Sequence, residues 1–510
     1  MKTQSNPLRM ALLLLALSLM LSSCSFSPEN PYTKTRFREP FVPTSTPPAP
    51  PYFLDAECRF PVPPGEVRCG DLYVLEDRAD PNSRVISLHV AVFPSFIDNP
   101  EPDPVINLPG GGGADTLSAA AYYLETAGTL MRTKRDFILY NQRGVKRNQP
   151  HLICPGEAEF QTILHRFVHS FGGDSQPEVA FMQDCRDSFL DQGINLDQYD
   201  SLAHAADLAD LVTVLGYEQV NIYGVSYGTR LALTMMRHYP ELIRSAILDS
   251  ILPPQIDFPK DGITTYLESL NNLFDACANQ EKCAQAYPDL EQEFSSLIRN
   301  LKADPVPLTI AEQEVLLDHI LFLDVIYFYL QEASALPITP QLIHAASQGE
   351  YAQFEDPIEI LSRYSDFITT GVQYSSICRD EVIFSSREES EALTADLQEG
   401  WGDYFNQAFY YQTCRDWVTE APDPIENTPV VSDLPTLVLT GHFDPITAPS
   451  WNLDTVSYLE NSFYFEFPNL AHGVLRADSC ALNMGLAFLD DPWTEPDSGC
   501  LEELKAPAFK

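Results

Sequence analysis

Gly224-Val225-Ser226-Tyr227-Gly228 fits the pattern G-x-S-x-G, whose chemistry is nucleophilic attack by a serine hydroxyl. A strand that turns abruptly into a helix leaves such a serine strained and exposed, and the flanking glycines relieve the crowding. The run QVNIY before the motif reads as a strand and TRLALTMMRHY after it as a helix, the context the motif requires. A serine hydroxyl attacks at neutral pH only if a histidine takes its proton and an acid holds that histidine in the right tautomer. On this kind of turn the chain order is serine, acid, histidine. Of ten histidines, His319, His344, His442 and His472 lie well beyond Ser226 and its helix. His319 and His344 sit in helical stretches and read as structural. His442 directly follows a strand and has no later strand behind it. His472, in Asn469-Leu470-Ala471-His472-Gly473, follows the last strand and is the candidate base. Asp444, in Gly441-His442-Phe443-Asp444-Pro445 after TLVLT, is the candidate acid, in a turn suited to presenting a carboxylate. Its rival is Asp249, at the end of the strand SAILD.

A serine attack also needs donors for the developing oxyanion. The amide of Tyr227 opens the helix after the nucleophile. A second amide is expected from Gly110-Gly111-Gly112-Gly113, where no side chain blocks backbone approach. Gly111 is the first choice, with Gly110 beside it. The same glycines also fit a surface turn, and a phosphate loop is disfavoured because no GK[ST] follows.

The elements that must position these groups are legible in the apolar pattern. Val67 to Val74 and Val85 to Phe93 read as two strands, Pro104 to Leu108 and Phe137 to Tyr140 as two more, and Thr116 to Met131 as a helix. The region holding Cys154 and Cys185 reads as polar and irregular. A helix over Leu202 to Leu215 stops at Gly216, and strands follow at Val220 to Tyr223 and Ser245 to Leu248. This alternation predicts an α/β fold with a mostly parallel central sheet and helices on both faces. Residues 255–430 break the rhythm and read as mainly helical, aromatic-rich and inserted as a lid. The rhythm returns at Thr436 to Thr440 and Phe463 to Phe467, with a last helix near Ala481 to Leu489. The expected division is 53–254 and 431–510 as two parts of one core, with 255–430 between them.

The 510 residues carry 31 Lys plus Arg against 72 Asp plus Glu, a net charge of −41, so nucleic acid is not an expected partner. No apolar run reaches the length of about 20 residues that spans a bilayer. Lys2, Arg9 and the short apolar run Met10 to Met20 read as a secretory signal over 1–23. Leu21-Ser22-Ser23-Cys24 resembles the lipobox of bacterial lipoproteins, which implies acylation of Cys24 and an anchor in a membrane of the cell envelope. Residues 24–52, rich in Pro, Ser and Thr, read as a tether. Of 11 cysteines, the ten besides Cys24 fall in sequence-local pairs. The expected disulfides are Cys58 with Cys69, Cys154 with Cys185, Cys277 with Cys283, Cys378 with Cys414, and Cys480 with Cys500, in an oxidising compartment. Neither a CxxC pair nor an HExxH helix occurs, so no metal or other cofactor is expected.

From about Val67 to Cys500 these residues resemble the α/β-hydrolase superfamily, and within it the secreted tripeptidyl aminopeptidases and their proline iminopeptidase relatives. The stretch Cys69-Gly70-Asp71-Leu72-Tyr73-Val74 is similar to that group's opening strand. Gly110 to Gly113 stands in place of its Gly-Gly-Pro-Gly loop, with Gly112 where Pro is usual. Asn141-Gln142-Arg143-Gly144 stands for Asp-x-Arg-Gly. Cys378-Arg379-Asp380 and Cys414-Arg415-Asp416-Trp417 resemble its late lid motifs, and Asp444 and His472 its acid and base. The resemblance implies a serine exopeptidase acting on peptides with a free N-terminus, whose ammonium group needs a lid carboxylate; Asp380 and Glu381 are the candidates by motif position. A carboxylesterase with the same triad, and an inactive hydrolase fold serving as a surface binding protein, are the alternatives.

Overall fold

The computed structural model describes residues 48–62, 67–157, 176–310, 313–364, 367–405 and 408–510. The signal segment, Cys24 and nearly all of the tether lie outside the described residues.

Eleven strands are described: β1 (Tyr52–Asp55), β2 (Arg68–Leu75), β3 (Val85–Phe93), β4 (Val105–Leu108), β5 (Phe137–Tyr140), β6 (Val220–Ser226), β7 (Ile243–Ile251), β8 (Val306–Ile310), β9 (Gln313–Leu317), β10 (Thr436–Gly441) and β11 (Ser462–Phe467). Nine of them form one sheet in the order β1-β2-β3-β5-β4-β6-β7-β10-β11. The first three connections across it are antiparallel and the remainder, from β5 to β11, is parallel. After β4 the chain passes to β5 on one side, and β6 lies on the other. Loops leaving β4 and β6 therefore diverge around a crevice at the carboxyl edge, where open α/β sheets bind ligands. The ends of β4, β6, β7, β10 and β11 all reach that edge.

Central strands are buried on both faces, hence their near-continuous apolar runs. Beneath the sheet, Val105, Phe137, Tyr223, Ile247, Leu437 and Phe467 pack with Ala481, Met484 and Phe488 of the helix Ser479–Asp490. The helix Ser201–Leu215 begins where the Asp200 carboxylate accepts the N–H of Ala203, and it ends at Gly216, whose φ of 81° is the left-handed stop glycine tolerates.

Several elements differ from the sequence expectation. β1 lies partly in the stretch read as tether; it pairs with β2 through Tyr52, which stacks on Tyr73 at 4.7 Å. The expected helix from Thr116 starts only at Ala120 and passes through a wide turn at Leu124–Gly128. The region around Cys185 is not irregular: the helix Gln176–Asp191 runs through it. Its low overall hydrophobicity hides an apolar face, Val179, Met182, Cys185 and Phe189, that packs on Val372, Phe409 and Trp417 from the inserted segment. The insertion is mainly helical but includes the hairpin β8–β9. Its other half has its own core, in which Tyr266, Leu273, Phe294, Phe322, Ile326 and Trp401 are buried together. All five expected disulfides are formed. No helix of the described residues is long and apolar enough to cross a membrane.

Candidate active site

Ser226 ends β6 with φ 57° and ψ −126°, a conformation that a residue with a side chain adopts only under constraint. The constraint is close packing. A Cβ on Gly228 would lie 2.0 Å from the Leu108 carbonyl oxygen, and one on Gly224 would lie 2.6 Å from the Gly228 oxygen. The turn is pinned from behind as well. Thr229 Oγ1 donates to the Ser226 carbonyl at 2.6 Å and accepts the N–H of Leu252 at 2.9 Å.

The glycine run after β4 lies against the serine: a Cβ on Gly110 would sit 2.9 Å from Ser226 Cβ. Gly111 has φ 67° and Gly113 φ 86°. The loop is propped by the Asn141-Gln142-Arg143-Gly144 turn. Gln142 Oε1 accepts the Gly113 N–H at 3.2 Å, and Asn141 Oδ1 accepts that of Leu117 at 3.2 Å. Arg143, fully buried, holds Asp207 through two bonds of 2.7 Å. Burial pushes the Asp207 carboxyl up, but Arg143 and Arg78 outweigh it and leave it below its ordinary value. The amides of Gly110 and Gly111 find no backbone acceptor among the described residues, and both residues line the same cavity as Ser226.

Asp444 is fully buried just past β10. Its Oδ1 accepts the N–H groups of Ile446 at 2.8 Å and Thr447 at 2.9 Å. Its Oδ2 accepts the Thr447 hydroxyl at 2.9 Å and lies 2.8 Å from His472 Nδ1. A carboxylate beside Nδ1 fixes the proton there and leaves Nε2 as the ring's acceptor. Burial alone would raise Asp444, but the His472 charge and the hydrogen bonds leave it lowered. Burial alone would lower His472, but Asp444 outweighs it, and the imidazole is raised above 6.5. β10 and the His472 loop touch so closely that a Cβ on Gly441 would lie 2.0 Å from the Ala471 oxygen.

Asp249, the rival acid, holds the histidine loop by its backbone. It accepts the N–H of Val474 at 2.8 Å and of Leu475 at 2.9 Å, and the Tyr223 hydroxyl at 3.2 Å. His319 and His344 lie in the lid beside Asp403 and Glu293, and His442 faces Glu466.

Ser226, Tyr227, Gly110, Gly111 and His472 line one cavity of about 910 Å³, to whose wall the inserted segment contributes Tyr327, Phe328 and Ile377. The two lid carboxylates separate. Glu381 lines the cavity and accepts the Phe258 N–H at 2.7 Å; burial pushes its carboxyl up to about 8, against the pull of Arg230. Asp380 is not a cavity residue. It points behind Tyr227, accepting the N–H and hydroxyl of Ser201 at 3.1 and 3.0 Å and the Tyr227 hydroxyl at 3.4 Å. Motif position could not separate adjacent residues, because a one-residue step on a helix end swings the side chain by roughly 100°. Glu332, an exposed residue at the end of the lid helix His319–Gln331, also lines the cavity; no sequence signal pointed to it.

Two family models match the chain, "alpha/beta hydrolase fold" over residues 103–296 and "TAP-like protein" over 401–500. The chain has the α/β-hydrolase fold. Serine protease Hip1 of Mycobacterium tuberculosis is 26% identical over 229 residues, 43% of each chain. A tripeptidyl aminopeptidase of Streptomyces lividans is 25% identical over 199 residues, 38% of this chain and 37% of that one. The chain thus spans less than half the length of these curated relatives. A thermophilic esterase from Thermogutta terrifontis superposes with TM-score 0.37 and 13% identity over 83% of this chain and 99% of that one, too loose a likeness to argue from.

Proposed function

We propose that the chain is an extracytoplasmic serine peptidase that releases short peptides or single residues from free N-termini, anchored to the cell envelope through acylated Cys24. Ser226 attacks the scissile carbonyl while Nε2 of His472 takes its proton. Asp444 holds the imidazole and stabilises its charged form. The amides of Tyr227 and Gly111, with Gly110 beside them, receive the oxyanion. His472 then returns the proton to the leaving amine, and water resolves the acyl-enzyme. The observation that carries this reading is the 2.8 Å contact of Asp444 with His472, on a cavity shared with the strained Ser226. Glu332 and Glu381, which line that cavity, are the carboxyl groups an N-terminal ammonium meets, and the arriving positive charge draws the proton off Glu381, whose pKa burial has raised; Asp380 does not serve. The five disulfides support an oxidising compartment.

The test is a panel of matched peptides with free and acetylated N-termini, alongside an aryl ester. Turnover of free peptides with little of the acetylated ones is expected. Equal turnover of both removes the exopeptidase reading, and turnover of the ester alone makes the protein an esterase.

A further inference from the structure

Arg476 lies four residues beyond His472 and lines the same cavity as Ser226. Arg476 is half-buried, and a guanidinium drawn even partly out of water ordinarily faces a carboxylate, because an uncompensated charge is costly there. Arg143 faces Asp207, Arg135 faces Asp103 and Arg379 faces Asp200 at 2.7–2.9 Å. Arg476 has no such partner among the described residues, and its Nε is buried without a hydrogen bond. Asp249 acts on it only through space, since its oxygens already accept two amides and the Tyr223 hydroxyl.

What holds Arg476 is aromatic. Its Cζ lies 5.3 Å from the ring centroids of both Tyr122 and Tyr123, and both rings line the cavity. Ring faces fix a guanidinium while leaving its N–H edges unused. One of those edges is beside the catalytic loop, with Nη2 3.7 Å from where a Cβ on Gly473 would stand. In a chain of net charge −41, an anion reaches such a cavity only against the overall field, so a dedicated cation is needed to receive it.

We propose that Arg476, framed by Tyr122 and Tyr123, is an anion subsite that takes a carboxylate of the substrate. The planar fork of the guanidinium matches a carboxylate in a two-bond geometry. The group has two chemical sources: an Asp or Glu side chain next to the scissile bond, or the terminal carboxylate of a short peptide. With the carboxyl groups of Glu332 and Glu381 lining the same space, the cavity offers a partner to each end of a substrate that carries both charges. This inference deepens the peptidase reading and rests on it.

The experiment is calorimetric binding to the Ser226→Ala protein, which holds peptide without turning it over. Three peptides of one sequence are compared: a neutral C-terminal amide, the same peptide as the free acid, and the amide with Glu replacing Gln beside the scissile bond. One acidic form is expected to bind about ten- to hundredfold tighter than the neutral one, and which one it is identifies the source. That advantage is expected to vanish with Arg476→Gln in the same background and to survive in part with Arg476→Lys, melting temperatures reading the fold of both independently. Equal binding of all three peptides, binding of none, or an advantage that persists in Arg476→Gln overturns the subsite. Failure of the peptidase reading is seen separately, as a wild-type protein that hydrolyses no peptide whatever it binds.

Discussion

Replacing Asp444 by Asn isolates the contribution of the acid, because the surrounding donors dictate how the new amide must sit. The two backbone N–H groups at Oδ1, from Ile446 and Thr447 at 2.8 and 2.9 Å, accept only an oxygen there. Turning the NH2 toward them would strand two buried donors, at about 1–3 kcal/mol each. The NH2 therefore takes the place of Oδ2, 2.8 Å from His472 Nδ1. Nδ1 must then accept, the ring proton moves to Nε2, and the nitrogen that should take the Ser226 proton already carries one. Nothing in the fold need move, since Thr447 Oγ1 at 2.9 Å can accept from the amide. A wrong tautomer of this kind lowers turnover roughly 10⁴-fold, about 5 kcal/mol of barrier. The assay is kcat/KM on an aryl ester or a free peptide, with the melting temperature as control. Asp249→Asn is the companion variant: it faces the amides of Val474 and Leu475 with different oxygens, so it loosens the loop and lowers stability without fixing the tautomer. Asp444→Asn retaining activity within roughly tenfold of wild type, while Asp249→Asn collapses, would refute the reasoning and move the acid to β7.

Three further outcomes are expected. Since burial lowers His472 but Asp444 more than restores it, the imidazole protonates at a pKa above 6.5; the neutral base is lost as pH falls, so the acidic limb of kcat/KM on an uncharged ester should inflect above 6.5, and a limb lying well below contradicts the pairing. Gly228→Ala places a Cβ 2.0 Å from the Leu108 oxygen and 2.9 Å from the Pro109 oxygen, backbone atoms that cannot step aside, so thermal unfolding should report a loss of at least about 2 kcal/mol, and an unchanged melting temperature argues against the tight turn. Glu381→Gln should lower kcat/KM for free peptides about ten- to hundredfold and leave the aryl ester little affected; an equal fall on both would show that Glu381 serves the fold and not the ammonium.

The sheet was legible where burial on both faces writes continuous apolar strands, as in TLVLT and SAILD. The candidate serine and acid were legible because each follows such a strand, and the candidate histidine because it follows the last strand, the half-buried edge strand β11, so their spacing follows from topology. Helix Gln176–Asp191 was missed because its apolar face is diluted by acids and glutamines and is buried only by distant residues such as Trp417. β1 was missed because four residues after a proline run carry little pattern. Asp380 and Glu381 differ by one step at a helix end, and only three-dimensional placement shows which enters the cavity. Arg476 gave no signal, since a lone cation in a loop is informative only once its missing partner is known.

The proposed mechanism depends most directly on the reactivity of one hydroxyl, that of Ser226. Folded protein treated with a fluorophosphonate and digested for peptide mass spectrometry should carry a single adduct, on Ser226, formed far more slowly after His472→Ala. An unmodified folded protein, or an adduct on another residue, would contradict it.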